Sequence, residues 1–281
     1  MNISVSSTSD ARRFLKMAKR WLDQDEPGNN TILSIANQAG ASGSLLGPPF
    51  WFAYSVGPNG DSGAAAFALP DGLVLSEMSQ KHCTVVVEEL LETGITPERI
   101  YASESVAPVA AALISKVTGR AFNCKKRWRA LQIDRIIDDY TCPSGDLRRA
   151  DPGDIDAVIE LGSQYDLENP SVVKVANYFL SRLREGDLYF WVSEEPTDIR
   201  SVLALSGRTD RVIRIAGVFT PQKYRGNRYA SSSIVQATNE CLSSGYRAVT
   251  LVVDTSDHVA EDIYLRLGFK AMHDRLELVT E

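Results

Sequence analysis

The stretch from Gly217 to Ser233, GVFTPQKYRGNRYASSS, constrains this chain more than any other. An apolar run stops at Pro221, which lacks an N–H and cannot continue a strand ladder. The chain then crosses a short basic loop through Gly226 and enters a helical pattern. Backbone N–H groups exposed at such a helix start, together with the helix dipole, favour a phosphate group, and Arg225 and Arg228 add positive charge. Glycine and arginine occur at many strand-to-helix junctions, so the residues alone point to an anion site without naming its ligand.

The rest of the chain supplies the setting. Phe14, Met17, Ala18, Trp21 and Leu22 fall at helical spacing within Thr8 to Leu22. Three apolar runs bounded by turn residues, Thr31 to Ala36, Phe50 to Val56 and Ala64 to Leu69, read as strands. A helix at 80–91, a strand at 99–102, an alanine-rich helix at 106–117 and a strand at 128–137 complete the first half. The turn residues around Cys142 to Gly145 mark a boundary between a domain over 1–140 and one over 145–281.

The second half opens with a strand at 147–150. Asp151 to Asp154 start a helix over 155–164, and a second helix fits Val172 to Arg184. Strands follow at 188–194, 201–206 and 212–219. After the basic loop come a helix at 230–242, a strand at 248–254, a helix at 259–267 and a last strand at 276–279. From the third strand onward the halves read alike, which suggests a duplicated mixed α/β fold.

Composition narrows the function. With 281 residues, 44% of them hydrophobic and 23% charged, the chain has the balance of a folded soluble protein of two domains. Its 36 acidic against 30 basic residues give a net charge of -6, which disfavours nucleic acid as a partner. The dense basic cluster Lys125, Lys126, Arg127 and Arg129 reads as a solvated loop. Cys83, Cys124, Cys142 and Cys241 form no metal-like spacing with His82, His258 and His273, so no metal is expected. No run approaches the ~18 apolar residues of a membrane span, and a cytoplasmic location is the expectation.

The run V-F-T-P-Q-K-Y-R-G-N-R-Y-A resembles the acetyl-CoA signature of the GCN5-related N-acetyltransferases (GNAT). The resemblance implies two tandem GNAT-like domains, each a mixed central sheet flanked by helices, with the second one active. It places Val218, Phe219 and Thr220 along the pantetheine arm. The pyrophosphate would lie on the loop that includes Lys223, Arg225, Gly226, Asn227, Arg228, Tyr229 and Ala230. Lys223 stands where relatives have Gln or Arg, and Arg228 where they have a small residue. A second stretch, DTSDHVAEDIYLRLGF from Asp254 to Phe269, is similar to the family's later motif. There Asp257 replaces a usual Asn as a cofactor contact, and Tyr264 is followed by Leu267, Gly268 and Phe269.

The implied activity is direct transfer of acetyl from acetyl-CoA, the co-substrate, to a primary amine of a small molecule or peptide. Tyr264 would be the general acid, because a departing thiolate needs a proton and a phenol can supply it. The strand at 212–219 carries Arg214 but no carboxylate, so the base stays open among Asp166, Glu168 and Glu194. On the core face of its helix, Cys241 is not expected to be a nucleophile. The first half lacks the basic loop, reading LPDGLVLSEM from Leu69 to Met78, and lacks the tyrosine; it is expected to shape the acceptor pocket or a homodimer. A non-catalytic acyl-CoA sensor or partner-binding module is the alternative.

Overall fold

The computed structural model describes residues 3–42, 51–68, 72–168, 175–193, 195 and 197–280, and the chain forms two compact units. The first comprises Met1–Leu131, Val252–Glu261 and Ala271–Glu281, and the second Gln132–Leu251 and Asp262–Lys270.

Among the described residues, ten strands and α-helices run from β1 (Ser4–Thr8) through α1 (Ala11–Leu22), α2 (Asn30–Ser42), β2 (Trp51–Val56), β3 (Ser62–Ala68), β4 (Gly72–Leu75), α3 (Gln80–Glu92), β5 (Arg99–Ser103) and α4 (Ala107–Thr118) to β6 (Phe122–Ile133). Ten more run from β7 (Asp146–Arg149) through α5 (Ile155–Glu168), α6 (Val175–Glu185), β8 (Leu188–Val192), β9 (Ile199–Ser206), β10 (Val212–Phe219), α7 (Tyr229–Ser243), β11 (Ala248–Asp254) and α8 (His258–Arg266) to β12 (Lys270–Thr280). Both series read strand, two helices, three strands, helix, strand, helix, strand. The duplication is therefore complete in element order, and the fold is a tandem one.

Three elements that depart from the sequence expectation produce that match. The run expected as a strand at 31–36 is the first half of α2. Its buried residues Ile32, Leu33, Ile35 and Ala36 follow helical spacing, a pattern that a short apolar run shares with a strand. Within the segment expected as a loop from Leu69 to Met78, Gly72–Leu75 form β4, a strand buried along its whole length, while 69–71 lie outside the described residues. The polar edge strand β1, SVSST, carries too little apolar signal to be read at all. The expected start of α6 at Val172 also lies outside the described residues.

In the first unit β1 to β4 pair antiparallel, β4 and β5 parallel, and β5 and β12 antiparallel. Alternation along the strands divides the core into two layers. Phe52, Ala64, Ala66 and Val74 pack with Phe14, Leu22, Ile32 and Leu33 from α1 and α2, whereas Trp51, Ala53, Ala65, Leu73 and Leu75 pack under α3 and α4.

The second unit repeats the pairing pattern: β7 to β10 are antiparallel and β10 and β11 parallel. α5 and α6 cover one face through Val158, Leu161, Phe179 and Leu183. On its other face α7 packs against β8, β9 and β10.

The last strand, β12, lies between β5 and β6 in the first unit. The basic cluster expected as a solvated loop is part of β6, and its charges are paired. Arg129 donates to both oxygens of Asp274 at 2.8 and 2.9 Å and to Glu261, Lys126 pairs with Asp254, and Arg127 with Glu104. Trp128 Nε1 donates to Glu277 at 2.9 Å. Arg275, only 7% exposed, donates to the carbonyls of Leu75 and Gly28 and to His273 Nε2.

Hydrogen bonding to Arg129 holds the Asp274 carboxyl below the usual carboxylate range. Its stabilising effect is therefore present above the unfolded value of about 3.9 and disappears as the pH falls through the lower folded value. Arg129→Ala should cost roughly 1 to 2 kcal/mol near neutral pH, as expected for a partly exposed but bidentate pair, with the gap to wild type closing in acid. Urea unfolding between pH 7 and pH 3 checks this; a gap independent of pH would exclude the Asp274 pairing as its cause.

Candidate active site

β10 and β11 are paired in parallel at Val212 with Ala248, Ile213 with Val249 and Arg214 with Thr250. Among the described residues their pairing goes no further, although β10 continues to Phe219. On its other side β10 pairs with β9 through Ala216 and again at Phe219, with a register shift between them. Gly217, at φ +58°, occupies that bulge. A Cβ there would lie 2.6 Å from Cε1 of Phe179, so glycine serves both the backbone conformation and the close approach of α6.

Beyond the bulge, Ser201 Oγ donates to the Phe219 carbonyl at 3.0 Å and Thr220 Oγ1 donates to Ser201 Oγ at 3.0 Å. Pro221 then leads into a single 3-10 turn at Gln222–Tyr224. Asn227 Nδ2 donates to the carbonyls of Tyr224 and Arg225, both at 3.1 Å, and so draws those acceptors toward its own side chain. Gly226 has φ +79° and Arg228 φ +64°, the one positive value among described residues other than glycine. The left-handed conformation explains why a small residue suits position 228: a side chain there adds strain.

Arg228 is the N-cap of α7, and no side chain caps this helix. Among the described residues no acceptor meets the backbone N–H groups from Gly226 to Ser231. At natural helix starts such donors are met by side chains, by water or by a ligand, and here the exposed loop leaves them open to an incoming acceptor. A diphosphate fits this requirement, since it can accept several of these hydrogen bonds at the positive end of the dipole.

The charged side chains are arranged less simply. Arg225 donates through Nε to the Thr220 carbonyl at 3.0 Å, pairs with Glu168 and lies over the Phe219 ring. Its charge is thus already balanced by a carboxylate. Lys223 lies over the Tyr224 ring, its Nζ 4.6 Å from the centroid. Tyr224 and Tyr229, at the two ends of the loop, meet edge to face.

In the later motif, Tyr264 is half-buried on α8 and its ring stands 6.3 Å from that of Phe269. Gly268, at φ +94°, ends the helix: its N–H donates to the Leu265 carbonyl and that of Phe269 to the Tyr264 carbonyl. Leu267 and Phe269 are buried on either side. The L-G-F sequence is therefore a left-handed helix stop flanked by two core residues. Asp257 accepts from the Ala260 N–H at 3.0 Å and so caps the start of α8.

Among the base candidates, Asp166 accepts from the Val175 N–H at the start of α6, Glu168 pairs with Arg225, and Glu194 lies outside the described residues. Burial raises the Cys241 thiol to about 11, which makes it a poor nucleophile at neutral pH. Among the described residues no three His, Cys, Asp or Glu side chains gather as a metal site, and no helix is long and apolar enough to cross a membrane. Sequence reasoning missed the Gly217 bulge, although an isolated glycine within a strand pattern signals one. It also missed Asp198 and Arg200 on the neighbouring hairpin, for which no local signal exists.

In the second unit the parallel pairing of β10 and β11 thus ends beside the uncapped start of α7. The model of the acetyltransferase (GNAT) family matches residues 157–269, within the second half of the chain. Solved structures extend the fold over the full length. A GCN5-related N-acetyltransferase from Sphaerobacter thermophilus is 17% identical with a TM-score of 0.63, covering 99% of this chain and 95% of its own. A tandem GNAT protein from the clavulanic acid biosynthesis pathway is 15% identical with a TM-score of 0.54, covering 100% and 98%. A GNAT-family acetyltransferase from Colwellia psychrerythraea is 10% identical with a TM-score of 0.57, covering 99% and 100%. Among curated proteins no sequence matches the chain.

Gly217→Ala should destabilise the protein by roughly 2 to 3 kcal/mol, because the added methyl meets a ring at a positive φ. An unchanged midpoint in urea unfolding would show that the bulge accepts a side chain.

Proposed function

We propose that the protein transfers an acetyl group from acetyl-CoA to a primary amine on a small molecule or peptide. The observation that carries this is the uncapped start of α7 with its free N–H groups, set beside the part of β10 beyond its pairing with β11. Gly226 to Ala230 hold the diphosphate, chiefly through backbone amides. Val218 and Thr220 offer backbone groups to the pantetheine arm, with Phe219 buried between them. Lys223 and Arg228 supply positive charge around the loop, while that of Arg225 is paired with Glu168.

Acetyl-CoA supplies an activated thioester. The neutral amine nitrogen attacks the carbonyl carbon, the carbon–sulfur bond breaks, and the amine's extra proton passes to a base or to water. Tyr264 donates a proton to the leaving sulfur, a role supported by its position in the motif and by its partial exposure. A non-catalytic CoA sensor is the rival, favoured by the balanced charge of Arg225 and the capping role of Asp257.

Gly226→Val should weaken CoA binding about tenfold or more, because a branched residue at φ +79° forces the loop out of shape. Arg225→Ala should have a smaller effect, since Glu168 already neutralises that guanidinium. Calorimetric affinities unchanged in both variants would remove the loop as the cofactor site.

An amine panel read by release of free thiol separates an enzyme from a sensor. Tyr264→Phe keeps the ring and should lower kcat roughly 10²-fold, with CoA affinity and melting temperature little altered. A lower melting temperature with normal turnover per folded molecule would make Tyr264 a packing residue.

A further inference from the structure

We infer that Arg200 on β9 is a positioning residue that holds the diphosphate loop in its binding shape by gripping the tyrosines at both of its ends. The inference rests on the proposed role of that loop.

The loop from Arg225 to Arg228 lies between Tyr224, which closes the 3-10 turn, and Tyr229, which opens α7. The Arg200 guanidinium carbon is 4.3 Å from the Tyr224 ring centroid and 5.9 Å from that of Tyr229. The two rings stand 6.5 Å apart at 88°. One planar cation therefore contacts both anchors of this short loop. Arginine suits this position because its flat, weakly hydrated group stacks on aromatic faces as an ammonium does not.

Arg200 is itself held. Asp198 accepts from it, from Tyr224 OH at 3.3 Å and from Ser193 Oγ at 2.8 Å. Its Nε is buried and has no hydrogen-bond partner among the described residues. An unpaired buried donor opposes folding, and the contacts that hold the guanidinium there are the two rings and the Asp198 pair.

The loop needs such support. Arg228 sits in a left-handed conformation that a side chain resists, and strained residues persist where their surroundings fix them from more than one side. With Tyr224 and Tyr229 fixed, Asn227 bonded to two carbonyls and Arg228 turned over, the N–H groups ahead of α7 keep one direction. Freeing the two ends would let Arg228 relax and scatter those donors, and a diphosphate would then have to order the loop on binding.

The test uses the full-length protein and CoA itself. Arg200→Lys retains the charge and loses the planar face; the dissociation constant for CoA should rise about tenfold, measured by calorimetry on folded protein. Tyr224→Leu should do the same, and the double variant should be no worse than either single one, because all three break one clamp. Should Arg200→Lys fail to fold, Asp198→Asn carries the test, with a smaller rise expected.

A lower melting temperature with unchanged CoA affinity would make Arg200 a structural residue only and overturn the clamp. Additive effects of Arg200→Lys and Tyr224→Leu would overturn it too. If Gly226→Val weakens CoA binding while Arg200→Lys does not, the clamp alone falls and the loop assignment stands. If the wild-type protein does not bind CoA, both fall.

Discussion

The candidate site depends on the pairing that β10 gives up. Up to Arg214 the strand is bonded to β11, and beyond it the pairing ends while the chain runs on to Phe219. The Gly217 bulge lies in this segment, and a bulge bends a strand and increases its twist. The segment past Arg214 is thus a strand edge within a covered sheet, next to a helix start with free donors. Both features leave backbone polar groups for a ligand, and a thioester with a diphosphate-bearing tail can satisfy each in turn.

The first unit uses the same element order without the same chemistry. Its strand β4 is only four residues long, and the chain passes from it to Ser79, whose side chain caps α3 by accepting from the His82 N–H. A helix capped in this way has less need of an anion than α7, whose N-cap is an arginine. The first unit's sheet also depends on the end of the chain. β12 supplies Arg275, Glu277 and Asp274 to it, and the basic residues of β6 balance those acids.

Much of the second half was legible because its elements are long and locally patterned. β10, α7, β11 and α8 fall close to the expected positions, and the loop residues sit together between β10 and α7. The first half was read less well. The Thr31–Ala36 run has the same apolar density as a strand, and only its burial pattern separates it from one. β1 and β4 are too short or too polar to stand out, and without them the two series looked alike only from their third strand onward.

The sequence by itself determined the local chemistry: a strand that stops at proline, a glycine-bearing basic loop, a helix start, and a Leu-Gly-Phe helix stop. These depend on neighbours in the chain, where backbone conformation and hydrogen bonding act over a few residues. Tertiary structure alone decided that β12 lies between β5 and β6, that Lys126, Arg127 and Arg129 meet carboxylates, and that Arg200 meets Tyr224 and Tyr229. Each joins residues far apart in the chain, and no local pattern encodes such a meeting, because it exists only once the strands have paired and brought those side chains to one face.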